Sequence, residues 1–255
     1  MLQQTQAARV AIAYPRFLRR LPTVDLLARA SRATVLRAWG DLGYNRRAVA
    51  LSEAARMVVR EHGGRFPREI DALDRLPGVG PYTAAAVASL AFGEPVAAVD
   101  TNVRRVVARV HLGDEGHEVA TAEIASLAGS WVDRRDPGSW NQAVMDLGRE
   151  VCRPRPRCEV CPLARVCRFR SVGGVPRPSP RRQGPFEGST RQVRGAVVRS
   201  LRDERSATLG RLVRLTGFDL ARVAVAVSAL AFDGVIEAGR AALDGRPSGR
   251  VRLAT

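Results

Sequence analysis

The segment LPGVGPYTAAAVASLAF, residues 76–92, decides the fold that the sequence predicts. Two helical patterns meet at its Pro-Gly-Val-Gly-Pro turn, and Pro81 occupies the first position of the second helix, where a missing N–H is tolerated. Gly78 and Gly80 let a ligand approach the backbone, and N–H groups at a helix N-terminus favour a phosphate. An ordinary connection between two helices explains Gly-x-Gly equally well. The preceding Leu-Pro and the following small-residue helix favour binding of a nucleic-acid backbone.

A second motif, VDTNVRRVVARV at residues 99–110, places Asp100 just before a predicted helix. Its apolar face consists of Val103, Val106, Val107 and Val110. Asp100 is therefore the predicted N-cap, which is the usual role of a lone Asp at this place. Helix N–H groups and the helix dipole hold such a carboxylate in its charged form. A carboxylate fixed in this way can also stabilise a cationic, oxocarbenium-like sugar, so the two roles are compatible.

One short stretch holds every cysteine of the chain, namely Cys152, Cys158, Cys161 and Cys167. In a protein without a signal-peptide pattern, such a cluster favours metal binding over disulfide bonds. Tetrahedral sulfur ligation suits a 4Fe–4S cluster or a structural zinc ion, and the spacing leaves both open. The loop between the first two cysteines carries three arginines, which we expect to clamp phosphate groups: Arg153, Arg155 and Arg157.

The charge of the chain indicates a polyanionic partner. Its 41 basic and 25 acidic residues give a net charge of +16, as is typical of a nucleic-acid-binding protein. Every basic residue is arginine, so no lysine side chain is available to form a Schiff base. The sequence has neither an apolar run of about 18 residues nor a signal-peptide pattern, which predicts an intracellular protein without membrane contact.

Hydrophobic periodicity predicts a mainly α-helical chain followed by a small C-terminal module. Helical patterns cover residues 7–20, 31–39, 45–61, 68–75, 81–92, 101–111, 118–132 and 139–151. Residues 171–189, rich in Gly, Pro and Arg, are a predicted linker. Beyond the linker, three helical patterns and two strands predict a winged-helix-like domain over residues 190–255, with the helices at 191–202, 207–215 and 219–232.

Taken in order along the chain, these motifs resemble the helix-hairpin-helix DNA glycosylases with an iron–sulfur cluster, most closely the MutY-type adenine glycosylases. The resemblance covers residues 1–170 and includes MLQQT at the start and LGY at 42–44. It implies a six-helix module over residues 1–95, a cluster module over 96–170, and a 4Fe–4S cluster on the cysteines, with zinc as the alternative. The implied protein is a monomer in the cytoplasm, associated with the nucleoid.

The reaction that the resemblance implies is base-excision repair of double-stranded DNA. Adenine mispaired with 8-oxoguanine or guanine is flipped out of the duplex, and its N-glycosidic bond is hydrolysed without a lyase step. Asp100 resembles the catalytic aspartate of the family, and Asn102 resembles its polar partner. Tyr82 stands where the related endonuclease III-like lyases carry a Schiff-base lysine. Considered alone, Tyr82 is also explained as a packed aromatic residue.

DNA contacts are the second set of roles that the resemblance implies. Tyr44 resembles a wedge that stacks beside the base opposite the target. Probing of the strand near the flipped nucleotide is the implied role of Leu2, Gln3 and Gln4. Without the resemblance, Gln3-Gln4-Thr5 reads only as the polar face of a helix.

The chain departs from the family pattern at three places. The first cysteine interval has five residues instead of the usual six. The tail beyond residue 190 is too short for the Nudix-like domain of many members, and instead resembles the short extension of some actinobacterial members. The family motif reads Glu-Val-Met-Leu-Gln-Gln-Thr, so its general-acid glutamate would precede Met1 by two residues. Asp25 and Glu53 lie on other helical segments and do not replace this glutamate.

Three functional hypotheses follow from that difference. In the first, the working enzyme is longer and Met1 is an internal methionine. In the second, the chain is an iron–sulfur DNA-binding protein that binds DNA but releases adenine very slowly. In the third, the enzyme acts on thymine or uracil mispaired with guanine, because such relatives also carry Tyr at the position of Tyr82. The MLQQT start and the Asp-x-Asn motif favour adenine.

Overall fold

The computed structural model describes residues 1–177 and 184–255, and within these ranges it is mainly α-helical, as predicted. The α-helices are α1 (Ala7–Arg20), α2 (Val24–Arg29), α3 (Arg32–Trp39), α4 (Arg46–His62), α5 (Ile70–Asp74), α6 (Pro81–Phe92), α7 (Thr101–Val107), α8 (Thr121–Trp131), α9 (Pro137–Glu150), α10 (Arg168–Ser171), α11 (Thr190–Asp203), α12 (Leu209–Thr216), α13 (Leu220–Phe232) and α14 (Arg240–Leu243). The strands are β1 (Ala207–Thr208), β2 (Ile236–Ala238) and β3 (Arg250–Leu253).

Most helix limits follow the apolar periodicity. The helix predicted at 207–215 begins only at Leu209, because Ala207–Thr208 form strand β1, and the four-residue helices α10 and α14 were not predicted. Helix α2 was not predicted, because six residues are too few to show a helical period, although its cap Thr23 accepts a hydrogen bond from Leu26 N at 3.2 Å. The predicted helix 101–111 changes into a π-helical turn at Ala108–Leu112. Such turns are frequent at functional sites. Of the predicted linker, Ser171 is the last residue of α10, the described residues 172–177 and 184–189 contain no helix or strand, and residues 178–183 lie outside the described residues.

The chain forms two compact units, one of Met1–Arg65 with Gln183–Thr255 and one of Phe66–Arg182. The hairpin segment 76–92 therefore shares a unit with the cysteine loop, and the C-terminal tail shares a unit with the first helices. The limits predicted at residues 95 and 170 do not coincide with the limits of these units.

The first unit has one apolar core to which the first helices and the tail both contribute. Val35 and Leu36 of α3 lie in it with Val197 and Leu201 of α11, and each is at most 1 % exposed. A polar contact supports the same packing, because Arg37 Nε donates to the carbonyl of Arg202 at 3.2 Å. The tail thus completes the core of the N-terminal helices.

The tail has the architecture of a winged helix, as the sequence predicts. Its elements follow the order α11, β1, α12, α13, β2, α14, β3, and the antiparallel sheet has the strand order β1-β3-β2. Ile236 lies opposite Leu253, and Ala207 lies opposite Val251. Helices α12 and α13 meet at 111°, within the range of a helix-turn-helix.

The second unit packs α7, α8 and α9 around a separate valine-rich core. Its buried residues include Val103, Val106 and Val107 of α7, which confirms the apolar face read from the sequence. Helix α6 also contacts α9, where Gly138 faces the backbone of Leu90. This packing fixes the direction of α7 and the position of its N-terminus.

No single helix of the described residues is long and apolar enough to cross a membrane. The bent pair α12 and α13 meets the length and composition criteria together. Both helices contribute buried residues to the core of the first unit.

A substitution in the shared core tests this description of the tail. Leu201→Ala removes a fully buried side chain, and we expect it to lower the free energy of unfolding by about 2–5 kcal/mol. Hydrogen exchange should accelerate in α3 as well as in α11, because both helices pack on the same side chain cluster. Leu215→Ala is the control, since Leu215 is 43 % exposed and should change stability little. Acceleration confined to the tail would contradict a shared core.

Candidate active site and cysteine loop

The hairpin between α5 and α6 has the turn that its two glycines predict. Gly78 has φ +77°, in the left-handed region that favours glycine, and Val79 N donates to the carbonyl of Leu76 at 3.0 Å. Gly80 is the N-cap of α6 and Pro81 is its first residue. A Cβ at Gly80 would meet nothing within 4 Å, so that position is open to a ligand.

Asp100 is the N-cap of α7, as predicted, and its carboxylate is held by three hydrogen bonds. Oδ1 accepts from the backbone N–H of Asn102 at 2.8 Å and of Val103 at 2.7 Å. Oδ2 accepts from the side-chain amide of Asn102 at 3.0 Å. The residue is half-buried, so the carboxylate is fixed in place and still reachable from solvent.

A polar chain connects this carboxylate to the cysteine loop. Arg105 donates to Asn102 Oδ1 at 2.9 Å, to the carbonyl of Gly148 at 2.7 Å and to the carbonyl of Cys152 at 2.7 Å. Because the guanidinium can only donate, it fixes the amide of Asn102 with its Nδ2 toward Asp100. Arg105 thus positions Asn102, which in turn orients Asp100.

Close packing between α7 and α9 supports the same chain. A Cβ on Gly148 would lie 2.7 Å from Asn102 Cβ and 3.0 Å from its carbonyl oxygen. Only glycine therefore lets α9 approach the first turn of α7 at this point.

A buried amide fixes the extended segment that leads into Asp100. Asn141 of α9 is fully buried and accepts from Ala98 N at 2.7 Å. Its Nδ2 donates to Ser89 Oγ, Val96 O and Pro137 O at 2.8–2.9 Å. The backbone before Asp100 is therefore held from α9.

Tyr82 of α6 lies in the same unit as Asp100 and interacts electrostatically with its carboxylate. Burial raises the pKa of Tyr82, and the carboxylate of Asp100 raises it further. The phenol is neutral at physiological pH and donates to Met145 Sδ at 3.7 Å. With 39 % of its surface exposed, Tyr82 is both packed and accessible, so both readings of it are compatible.

The four cysteines line one pocket together with Arg109, Leu163 and Phe169. All four are free thiols. Burial raises the pKa of Cys158, and the neighbouring Cys167 and Cys161 raise it further, as expected for sulfur atoms that lie close together. Among the described residues, no three His, Cys, Asp or Glu side chains are arranged to hold a single metal ion.

The buried ion pair of Arg109 with Glu115 anchors the cysteine loop. Arg109 Nη2 lies 2.7 and 3.0 Å from the two carboxylate oxygens of Glu115, and both side chains are at most 5 % exposed. Burial disfavours the charge of Arg109, but Glu115 and Cys152 hold its pKa above the usual value. Arg109 also donates to the carbonyls of Arg153 and Pro154 at 2.6 and 3.0 Å. The loop is thereby ordered, and its three arginines are exposed: Arg153, Arg155 and Arg157.

The remaining predicted residues lie together in the first unit. Leu2 and Tyr44 are exposed, by 64 % and 42 %. Gln4 and Tyr44 are the described non-glycine residues with positive φ, at 52° and 47°. Arg47 donates both to the carbonyl of Gln3 and to that of Gly43, which brings the two segments together.

Sequence reasoning missed four residues that position these groups: Arg47, Arg105, Arg109 and Asn141. Arg105 and Arg109 carry a signal that could have been used, because they stand four residues apart in an otherwise valine-rich helix and therefore on one face. Arg47 and Asn141 carry no such signal, since their acceptors include backbone carbonyls more than 40 residues away in sequence.

The known proteins that this chain resembles are DNA repair proteins. Residues 1–128 match the family described as HhH-GPD superfamily base excision DNA repair protein. The adenine DNA glycosylase of Mycobacterium tuberculosis is 46 % identical over 206 residues, which cover 79 % of this chain and 67 % of that protein. That of Mycolicibacterium smegmatis is 40 % identical over 250 residues, 96 % of this chain and 85 % of that protein. A solved thermostable thymine-DNA glycosylase has a TM-score of 0.62 at 32 % identity, covering 67 % of this chain and 80 % of that one.

Replacement of Arg105 tests the polar chain that ends at Asp100. Lysine keeps the charge but cannot hold three acceptors in the planar arrangement of the guanidinium, so we expect Arg105→Lys to slow single-turnover base release by about 100-fold. Arg104→Lys is the matched control, because Arg104 bonds to Gly116, Val119 and Thr121 instead. Equal losses in both variants would mean that Arg105 contributes only to stability, which thermal unfolding would reveal.

Proposed function

Because the chain belongs to the HhH-GPD superfamily of base excision DNA repair proteins, we propose that its substrate is adenine mispaired with 8-oxoguanine or guanine. The protein is a DNA glycosylase of base excision repair, and DNA is its partner. Adenine as the excised base rests on the two mycobacterial relatives, which are named adenine DNA glycosylases.

The fixed carboxylate of Asp100 is the observation that carries this proposal. Cleavage of an N-glycosidic bond leaves positive charge on the sugar while the base departs with the bonding electrons and takes up a proton. A carboxylate already oriented by three hydrogen bonds stabilises that charge without reorganisation in the transition state. Water then forms the new bond to the sugar carbon and loses a proton. Asn102 holds Oδ2 in place during both steps.

Tyr82 and the absence of lysine from the printed sequence support hydrolysis without a lyase step. A lyase needs an amine that attacks the sugar and forms a Schiff base, and the phenol of Tyr82 cannot form one. In this proposal the neutral Tyr82 borders the space in front of Asp100 and limits access of bulk water.

We propose that the protein holds DNA by contacts to the phosphate backbone and that side chains of the first unit insert between the bases. Gly78 and Gly80 present the hairpin to a phosphate, and the ordered arginine loop at 153–157 supplies charge. Tyr44 stacks beside the opposite base, while the strand is probed by Leu2, Gln3 and Gln4. The enzyme acts as a monomer on chromosomal double-stranded DNA.

We also propose that the four cysteines hold a 4Fe–4S cluster. A single zinc ion needs all its ligands at about 2.3 Å from one point, whereas each thiolate of a 4Fe–4S cluster binds a different iron. Four cysteines that line one pocket and form no disulfide support a metal site that uses all four, and the resemblance to the iron–sulfur glycosylases favours the cluster over zinc. The cluster would order the loop that carries the arginines.

The thymine-DNA glycosylase among the structural neighbours favours a second candidate substrate, thymine or uracil opposite guanine. Its 32 % identity is lower than the 46 % of the mycobacterial adenine glycosylase. Release of thymine or uracil opposite guanine is therefore a competing outcome of the experiment.

The substrate proposal is tested by base release from defined duplexes. Enzyme in excess is incubated with A opposite 8-oxoguanine, A opposite G, T opposite G, or U opposite G, and abasic sites are cleaved with alkali. We expect adenine opposite 8-oxoguanine to be released fastest, even if turnover is slow. Faster release of T or U would contradict the proposal.

The role of Asp100 is tested in the same assay by Asp100→Asn. Asn caps helices about as well as Asp, so stability should persist, while loss of the charge should slow release by about 100-fold or more. Asp136→Asn is the matched control, because Asp136 caps α9 by accepting from Ser139 N at 3.0 Å. Undiminished release by Asp100→Asn would refute the assigned role.

The metal proposal predicts a brown protein with about four irons per chain and broad visible absorbance. Cys161→Ser should lower the iron content and weaken DNA binding, since the loop with Arg153, Arg155 and Arg157 would keep its anchor at Arg109 but lose the one at the cluster. A colourless protein with one zinc ion per chain would overturn the assignment.

A further inference from the structure

Two strained turns lie side by side in the first unit and share one guanidinium. Gln4 has φ 52° and Tyr44 has φ 47°, a backbone conformation that costs energy for residues other than glycine. Strain of this kind persists only where surrounding contacts impose it. Both residues belong to the segments that we propose probe DNA.

The side chain of Arg47, in the first turn of α4, makes these contacts. Its Nη1 donates to the carbonyl of Met1 at 2.9 Å and to that of Gln3, and its Nη2 donates to Thr5 Oγ1 at 2.8 Å. The same Nη2 donates to the carbonyl of Gly43 at 3.2 Å. One guanidinium therefore joins the backbone of residues 1–5 to the turn that precedes Tyr44.

Aromatic rings fix the plane of this guanidinium. Its central carbon lies 5.2 Å from the Trp39 ring centre and 5.4 Å from that of Tyr44. Trp39 is 1 % exposed and donates from Nε1 to the carbonyl of Gly43 at 3.0 Å. The core thus orients Arg47, and Arg47 orients the two exposed segments.

We propose that Arg47 is a positioning residue that holds Leu2–Thr5 and Gly43–Tyr44 as one rigid DNA-probing element. This inference rests on the proposed function of those segments. Since both turns are held by the Arg47 guanidinium, a substitution of Arg47 should impair the DNA contacts of both turns together. Asp100 and its partners lie in the other unit and do not depend on Arg47 for any hydrogen bond described above.

Arg47→Lys tests the proposal, because lysine retains the charge but lacks the planar fork that reaches four acceptors. Arg56→Lys is the matched control on the same helix. Arg56 also binds backbone carbonyls, those of Ala28 and Ala30 at 3.2 Å, outside the probing element. Both variants should lose thermal stability, and only the first should affect DNA readout.

Binding is measured in the Asp100→Asn background, so that base release is slow compared with the measurement. The ratio of affinities for a duplex with A opposite 8-oxoguanine and a matched duplex should fall about tenfold in Arg47→Lys and stay unchanged in Arg56→Lys. The fluorescence of 2-aminopurine beside the target adenine, which reports unstacking, should fall with it. An unchanged ratio in Arg47→Lys, or an equal fall in both variants, would overturn the proposal.

A double-mutant cycle and hydrogen exchange separate this inference from the proposed function. In the Arg47→Lys variant, Tyr44→Ala should lower the affinity ratio little further. In the Arg56→Lys variant it should lower the ratio by its full effect, because Arg56 does not belong to the probing element. Without DNA, Arg47→Lys should accelerate exchange in residues 1–5 and 43–44 together. A parent protein without preference for the mismatch refutes the proposed function, whereas exchange that accelerates in one segment alone refutes the role of Arg47.

Discussion

The capping interaction at the start of α7 is the constraint on which the candidate site depends. An N-terminal turn of a helix has N–H groups without internal partners, and Asp100 accepts two of them. A residue chosen for its fit to a helix end is thereby also a carboxylate of fixed position. Capping of α7 and orientation of the negative charge therefore depend on the same two hydrogen bonds, from the backbone N–H groups of Asn102 and Val103 to Asp100.

Several arginine side chains hold segments of the backbone in place. Arg47, Arg105 and Arg109 each donate to backbone carbonyls that lie more than 40 residues away from the arginine in sequence. A guanidinium has five donors in one plane, so it can fix two segments at a defined angle where an ammonium would attract them without orienting them. The excess of positive charge therefore has two uses, because some arginines organise loops internally while others, such as Arg155, remain exposed.

The tail has a structural role that its winged-helix form alone would not suggest. Valine and leucine side chains of α11 lie in one core with those of α3, so the N-terminal helices and the tail stabilise each other. Helix α13 exposes Val225 and Phe232, by 62 % and 93 %, and its one arginine, Arg222, donates to the carbonyl of Gly188 at 2.8 Å.

By itself, the sequence determined the helical fold, the capping position of Asp100, the hairpin with Gly78 and the grouping of the four cysteines. These features depend on residues that are neighbours along the chain, where spacing and turn chemistry suffice. Tertiary structure alone decided that Arg105 links Asn102 to the carbonyl of Cys152, that Asn141 holds the extended segment before Asp100, and that the tail shares a core with α3. Backbone carbonyls are identical in every residue, so a sequence cannot tell which of them a distant side chain will bind, and only folding selects the partner.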